Sequence, residues 1–198
     1  MFIGITGGVG AGKSTILQIL KEKYDAHLIM ADDVAKDLMC KGKSAYRKIV
    51  QTFGGEILGE DKEIDRQKLS SIVFQDDAKL QELNQIVHPL VKKAILKEKR
   101  SISNKDPQKL IVLEAALLIE DGYPEFLDEL WAVIADKEVR IQRLMDSRGY
   151  SREKSESIIA AQLSDEEFRN ACDFIIDNSG SLSDSERQIE EHFERNHH

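Results

Sequence analysis

Lys13 and Ser14, set behind Gly7-Gly8-Val9-Gly10-Ala11-Gly12, are the residues whose types and spacing most clearly do chemistry. The stretch fits GxxxxGK(S/T), follows an apolar strand-like run from Phe2 to Thr6 and opens a helix-like one, the context a P-loop requires. Glycines at 7, 8, 10 and 12 let successive N–H groups turn inward around a phosphate chain. Lys13 adds a positive charge at the β/γ-phosphates, and the Ser14 hydroxyl is placed to ligate a bridging Mg²⁺. The first helical turn, at Thr15, contributes the positive end of its dipole. Gly8, Val9, Gly10, Ala11, Gly12, Lys13, Ser14 and Thr15 are therefore the expected phosphate cradle.

Charged residues elsewhere could complete a transfer reaction. Asp32 ends the second apolar run, where a carboxylate could accept the proton of an attacking hydroxyl or could cap the next helix; Asp33 competes for either task. Glu114 and Asp136 each close an apolar run and each resembles the acid that orders Mg²⁺ water beside a P-loop, with Glu114 slightly ahead. Arg140, Arg143 and Arg148 cluster around one helix and Gly149. They read either as a lid that neutralises a moving phosphate or as a solvated basic face paired with Glu138 and Asp146. Arg66 and His88 each stand at an expected helix start.

Composition narrows the partners. The 198 residues hold 28 Lys and Arg against 36 Asp and Glu, a formal charge of −8, with 41% hydrophobic residues. A chain of this length buries a full core, and its acidity without a basic cluster argues against nucleic acid. Two distant cysteines, Cys40 and Cys172, form neither a disulfide framework nor a zinc spacing, and a reducing cytoplasm is the expected setting. No apolar run reaches transmembrane length and no cleavable leader is evident, so neither secretion nor anchoring is expected. Asn104-Lys105-Asp106-Pro107 only superficially resembles NKxD, which disfavours a regulatory GTPase. The terminal Asn196-His197-His198 reads either as part of a tag or as a native tail.

The elements that must position these residues follow from periodicity. A helix runs from Ser14 to near Asp25, and Ala26 to Ala31 reads as a buried strand, so the chain opens as an α/β fold with parallel strands. From Asp33 to Pro107 the pattern is helical. Gly42 and Gly54-Gly55 act as stops, Ser44, Asp65 and Asp76 as caps, and His88-Pro89 as an interruption. Strand-like runs return at Lys109 to Leu113, Leu130 to Ala135 and Phe174 to Ile176, each with a polar end at one edge, where an open parallel sheet binds ligands. Helices lie between and after them, with Ser164/Glu167 and Ser183/Glu186 at capping-box spacing and the last packing through Leu182, Ile189 and Phe193.

In order, Ile5 to Thr15, Ala31-Asp32, Phe53-Gly54 with Ile57-Leu58, Asp65-Arg66 with Leu69 and Val73-Phe74 resemble the dephospho-CoA kinase family. So do His88-Pro89, Leu117-Leu118 with Glu120, Gln142-Arg143-Leu144, Arg148, Gln162, and Cys172-Asp173 with Ile176 and Asn178. The resemblance implies a P-loop NTPase fold, a three-layer α/β/α unit with a parallel five-stranded sheet. It implies a nucleotide-binding core of residues 1–32, 108–139 and 172–198, a helical CoA domain at 33–107 and a lid at 140–171. It also implies transfer of the ATP γ-phosphate to the 3′-hydroxyl of dephospho-CoA; independently of it, composition and hydropathy lead to the expectation of no nucleic-acid or membrane partner, and a monomer is expected. Asp32 becomes the base, with Lys13 and Arg143 also catalytic. Asp32, Arg66, His88, Leu117, Glu120 and Gln162 would hold the acceptor. Arg143 and Arg148 would face the phosphates and Asn178 the adenine, with Mg²⁺ on Ser14 and indirectly on Glu114. The chain departs from the family pattern at Met30, Glu114 and Ala116, where the family often has an acid, Asp and Pro.

Overall fold

The computed structural model describes residues 1–115, 118, 119 and 122–196. In chain order its elements are β1 (Phe2–Gly7), α1 (Lys13–Tyr24), β2 (His27–Met30), α2 (Ala31–Leu38), α3 (Ser44–Phe53), α4 (Arg66–Val73) and α5 (Asp77–Lys105). There follow β3 (Ile111–Glu114), β4 (Glu129–Ile134), α6 (Lys137–Arg148), α7 (Arg152–Ala160), α8 (Asp165–Ala171), β5 (Phe174–Asp177) and α9 (Leu182–Asn196). One five-stranded sheet has the order β2-β3-β1-β4-β5, and β1 pairs parallel with β3 and β4, as β4 does with β5. The expected parallel α/β architecture is therefore the one found. By compactness the chain divides into two units, residues 1–28 with 108–198 and residues 29–107.

In the first unit β1 is central and buried along its whole length, which is why it reads as an unbroken apolar run rather than an alternating one. Trp131 of β4 is fully buried; its indole N–H donates to Glu129 Oε2 at 2.6 Å, and Phe174 and His192 meet it edge-on. Ile16, Leu17, Ile19 and Leu20 bury one side of α1. Ser164 and Glu167 form the expected capping box of α8, and Ser151 caps α7. For α9 the capping pair is instead Ser181 with Asp184, two residues before the expected Ser183 and Glu186. Leu182, now in the first helical position, is 53% exposed, while Ile189 and Phe193 pack inside as expected.

The second unit is helical. Its core gathers Ala45, Ile49, Phe53, Ile57, Leu69 and Val73, with Leu83, Val87 and Leu90 of α5 packed on it. Asp65 and Asp76 both cap as expected, each accepting from two backbone amides. Ser44 does not cap: it is the first residue of α3 and Lys43 precedes it. Pro89 does not interrupt the helix either, since α5 continues through it to Lys105. An interior proline costs roughly 3 kcal/mol. Val87 and Leu90 pack on the core from either side of it, so burial outweighs the local penalty. Asp76→Ala should leave two amides at the start of α5 uncapped, and a loss of about 1 kcal/mol is expected, measurable as a lower denaturant midpoint at unchanged slope.

Candidate functional site

The loop between β1 and α1 is built to present amides. Gly12 is the N-cap of α1 and has no side chain to satisfy the first turn, so the amides of Lys13 and Ser14 lack a partner from the helix itself. A helix start of this kind binds anions. Within the loop Ala11 N–H donates to Gly8 O at 3.2 Å, and Lys13 Nζ folds back to donate to Gly7 O at 2.7 Å.

Two glycines are needed for different reasons. Gly12 has φ of 90°, and a Cβ there would collide with the Asn178 side-chain amide. Gly8 has no such φ; a Cβ on it would run into the guanidinium of Arg140. Gly12→Ala thus combines backbone strain with a clash, and a fall of at least about tenfold in nucleotide affinity is expected by titration calorimetry.

Helix α6 and the residues after β5 brace this loop from outside. Arg140 is buried, with 5% exposure; its Nε donates to Val9 O at 2.9 Å and its Nη2 to Gln162 Oε1 at 2.9 Å. Gln162 Oε1 also accepts from Val9 N–H at 2.8 Å. Arg143 donates to Ala11 O at 3.2 Å and to Asn178 O at 2.9 Å. Asn178 is buried; its amide donates to Ala11 O at 2.8 Å, and its Oδ1 accepts from Ser185 Oγ at 2.9 Å.

The electrostatics suit a polyanion. Burial holds the Lys13 ammonium below its usual pKa; Glu114 pulls it back up, and Arg140 and Arg148 push it further down. Burial likewise depresses the Arg140 guanidinium, with Asp165 opposing. Cations that repel one another around a partly buried loop are relieved when a phosphate chain enters. Of the two strand-end acids, Glu114 is the one coupled to Lys13. It ends β3 opposite Ile5 of β1, whereas exposed Asp136 precedes α6.

The first unit therefore gathers Lys13, Glu114, Arg140, Arg143, Gln162 and Asn178 around the loop, with Arg148 exposed at the end of α6. Arg140 is engaged with Val9 O and the Gln162 side chain and Arg143 with Ala11 O and Asn178 O, and the Asn178 side chain turns in behind the loop. Sequence reasoning missed the buried role of Arg140 and the Gln162 contact. The i, i+4 spacing of Arg140 with the apolar Leu144, which puts both on one side of α6, was the available signal for the first.

The second unit holds the other candidates. Asp32 is exposed in the first turn of α2, whose N-cap is Met30, so the capping alternative for Asp32 falls away. Arg66 opens α4 and lines a cavity of about 420 Å³ with Met39, Leu69, Val73 and Phe74. His88 is half-buried within α5. Leu117 and Glu120 lie outside the described residues. Among the described residues no helix is long and apolar enough to cross a membrane.

Comparison with known proteins reaches nearly the whole chain. The family profile described as dephospho-CoA kinase matches residues 1–184. A dephospho-CoA kinase of Carboxydothermus hydrogenoformans is 42% identical over 94% of this chain and 90% of its own. A solved structure from Thermus thermophilus is 30% identical with a TM-score of 0.80, covering 98% of this chain and 97% of that one. The solved dephospho-CoA kinase of Campylobacter jejuni is 26% identical with a TM-score of 0.72, covering 98% and 95%.

Proposed function

The chain belongs to the dephospho-CoA kinase family, and from that premise we propose that it transfers the γ-phosphoryl group of ATP to the ribose 3′-hydroxyl of dephospho-CoA. One observation carries the reading. The match runs through both units, the helical residues 29–107 included, and not only through the P-loop unit.

The P-loop amides and Lys13 hold the phosphates, and Asp32 takes the proton as the ribose oxygen bonds to the γ-phosphorus. The bond from that phosphorus to the β,γ-bridging oxygen breaks, and ADP leaves. Most of the rate comes from positioning and charge. Arg143 and Arg148 face the phosphates and neutralise the moving phosphoryl group, and Asn178 lies toward the adenine. Arg66, His88, Leu117 and Glu120 are the proposed acceptor contacts.

The donors suit Mg²⁺. Ser14 offers a hydroxyl at the helix start, the kind of hard oxygen this ion takes from a protein when phosphates supply the rest, and Glu114 offers a carboxylate near Lys13 that would hold the ion indirectly, through water. When bound, Mg²⁺ would supply positive charge that offsets the negative charge of the phosphates. The free thiols of Cys40 and Cys172 accord with a cytoplasmic setting, and one chain is taken as the working unit.

Coupled ADP release with Mg-ATP and a panel of dephospho-CoA, AMP, CMP and shikimate tests the proposal. Turnover with dephospho-CoA alone is expected. Turnover confined to another acceptor overturns the assignment.

A further inference from the structure

Val9 has both backbone groups tied to side chains far away in sequence. Its carbonyl accepts from Arg140 Nε, its N–H donates to Gln162 Oε1, and Gln162 Oε1 also accepts from Arg140 Nη2. These three hydrogen bonds close a ring through the apex of the P-loop. The ring fixes the peptide groups on both sides of Val9, and it ties the turn between α7 and α8 to the loop. Gly8 is what leaves room for the Arg140 fork, since any Cβ there would meet it.

We propose that Arg140 and Gln162 are a positioning pair that holds the P-loop open for the phosphate chain, and that Gln162 acts on the nucleotide through Val9 rather than by holding the acceptor. Two features fit this division of labour. The side-chain hydrogen bonds of Arg140 go to the neutral oxygens of Val9 and Gln162, its ion pair with Asp165 is long at 4.0 Å, and its charge still acts on Lys13. The Gln162 oxygen is neutral and already accepts two bonds, so it shapes the loop without competing as an anion would.

The pair is tested through nucleotide binding with no acceptor present, which separates it from the identity of the acceptor. Gln162→Met keeps the length of the side chain and loses the acceptor oxygen. It should raise the Kd of MgADP by about tenfold in titration calorimetry (about 1.4 kcal/mol), with the KM of dephospho-CoA changed less than about twofold. Arg140→Lys keeps the charge but cannot span two oxygens with one fork. It should weaken MgADP to a similar extent, and the double variant should be little worse than either single one. Should Arg140→Lys fail to fold, Gln162→Met decides alone, because that side chain is only half-buried. The proposal is overturned if Gln162→Met leaves MgADP binding unchanged and raises only the KM of the acceptor. Wild-type MgADP affinity in a folded Arg140→Lys protein would overturn it equally.

Discussion

Asp32→Asn is expected to lower kcat by two to four orders of magnitude, the range for losing a positioned general base, while MgATP affinity changes less than about threefold. The substitution keeps the size of the side chain and removes its ability to take a proton. Little stability should go with it. Asp32 is exposed and is not the cap of α2, so what is lost is a favourable charge at a helix start, about 0.3–1 kcal/mol. Met30 two residues earlier is not an acid, so no second carboxylate on β2 stands ready to substitute. Steady-state kinetics beside nucleotide titration separate the two effects. A variant that keeps more than a tenth of its kcat would remove Asp32 from the chemistry.

Lys13→Met should lower kcat/KM by on the order of 10² to 10³, comparable to removing one preorganised donor from a developing charge. Its effect on the empty protein should run the other way. The Lys13 ammonium is desolvated and repelled by Arg140 and Arg148, with Glu114 only partly compensating, so the neutral side chain should leave the melting temperature without nucleotide unchanged or higher. The sign can be checked against pH. A lysine whose folded pKa is lowered binds its proton more tightly when unfolded, so its share of stability grows as pH rises toward 10.5, and Lys13→Met should flatten that rise. A parallel fall in activity and melting temperature would instead mark Lys13 as a structural residue.

What could be read in the sequence was mostly local. The P-loop, the five apolar runs and the Asp65 and Asp76 caps depend on neighbours within a few residues; the caps formed as expected and the strands formed within two residues of their runs, with Ala31 opening α2 instead of ending β2. The misreadings arise where distant packing decides. Pro89 lies inside α5 with Val87 and Leu90, on either side of it, packed partly buried on the helical core, and no local rule carries that information. Ser181 and Ser183 both begin a capping spacing, and the one nearer the end of β5 forms the cap. Arg140 and Gln162 are 22 residues apart and meet only because α6 and the α7–α8 turn both pack on the P-loop. Asn178 is similar: its position after β5 was legible, but its side chain is spent on Ala11 and Ser185.

The measurement that bears most directly on the function is identification of the phosphorylated product by phosphorus NMR after incubation with Mg-ATP and dephospho-CoA. The proposed chemistry predicts a new ribose 3′-phosphomonoester appearing in step with ADP. ADP formed without a phosphorylated acceptor, or phosphate found at another position, would contradict it.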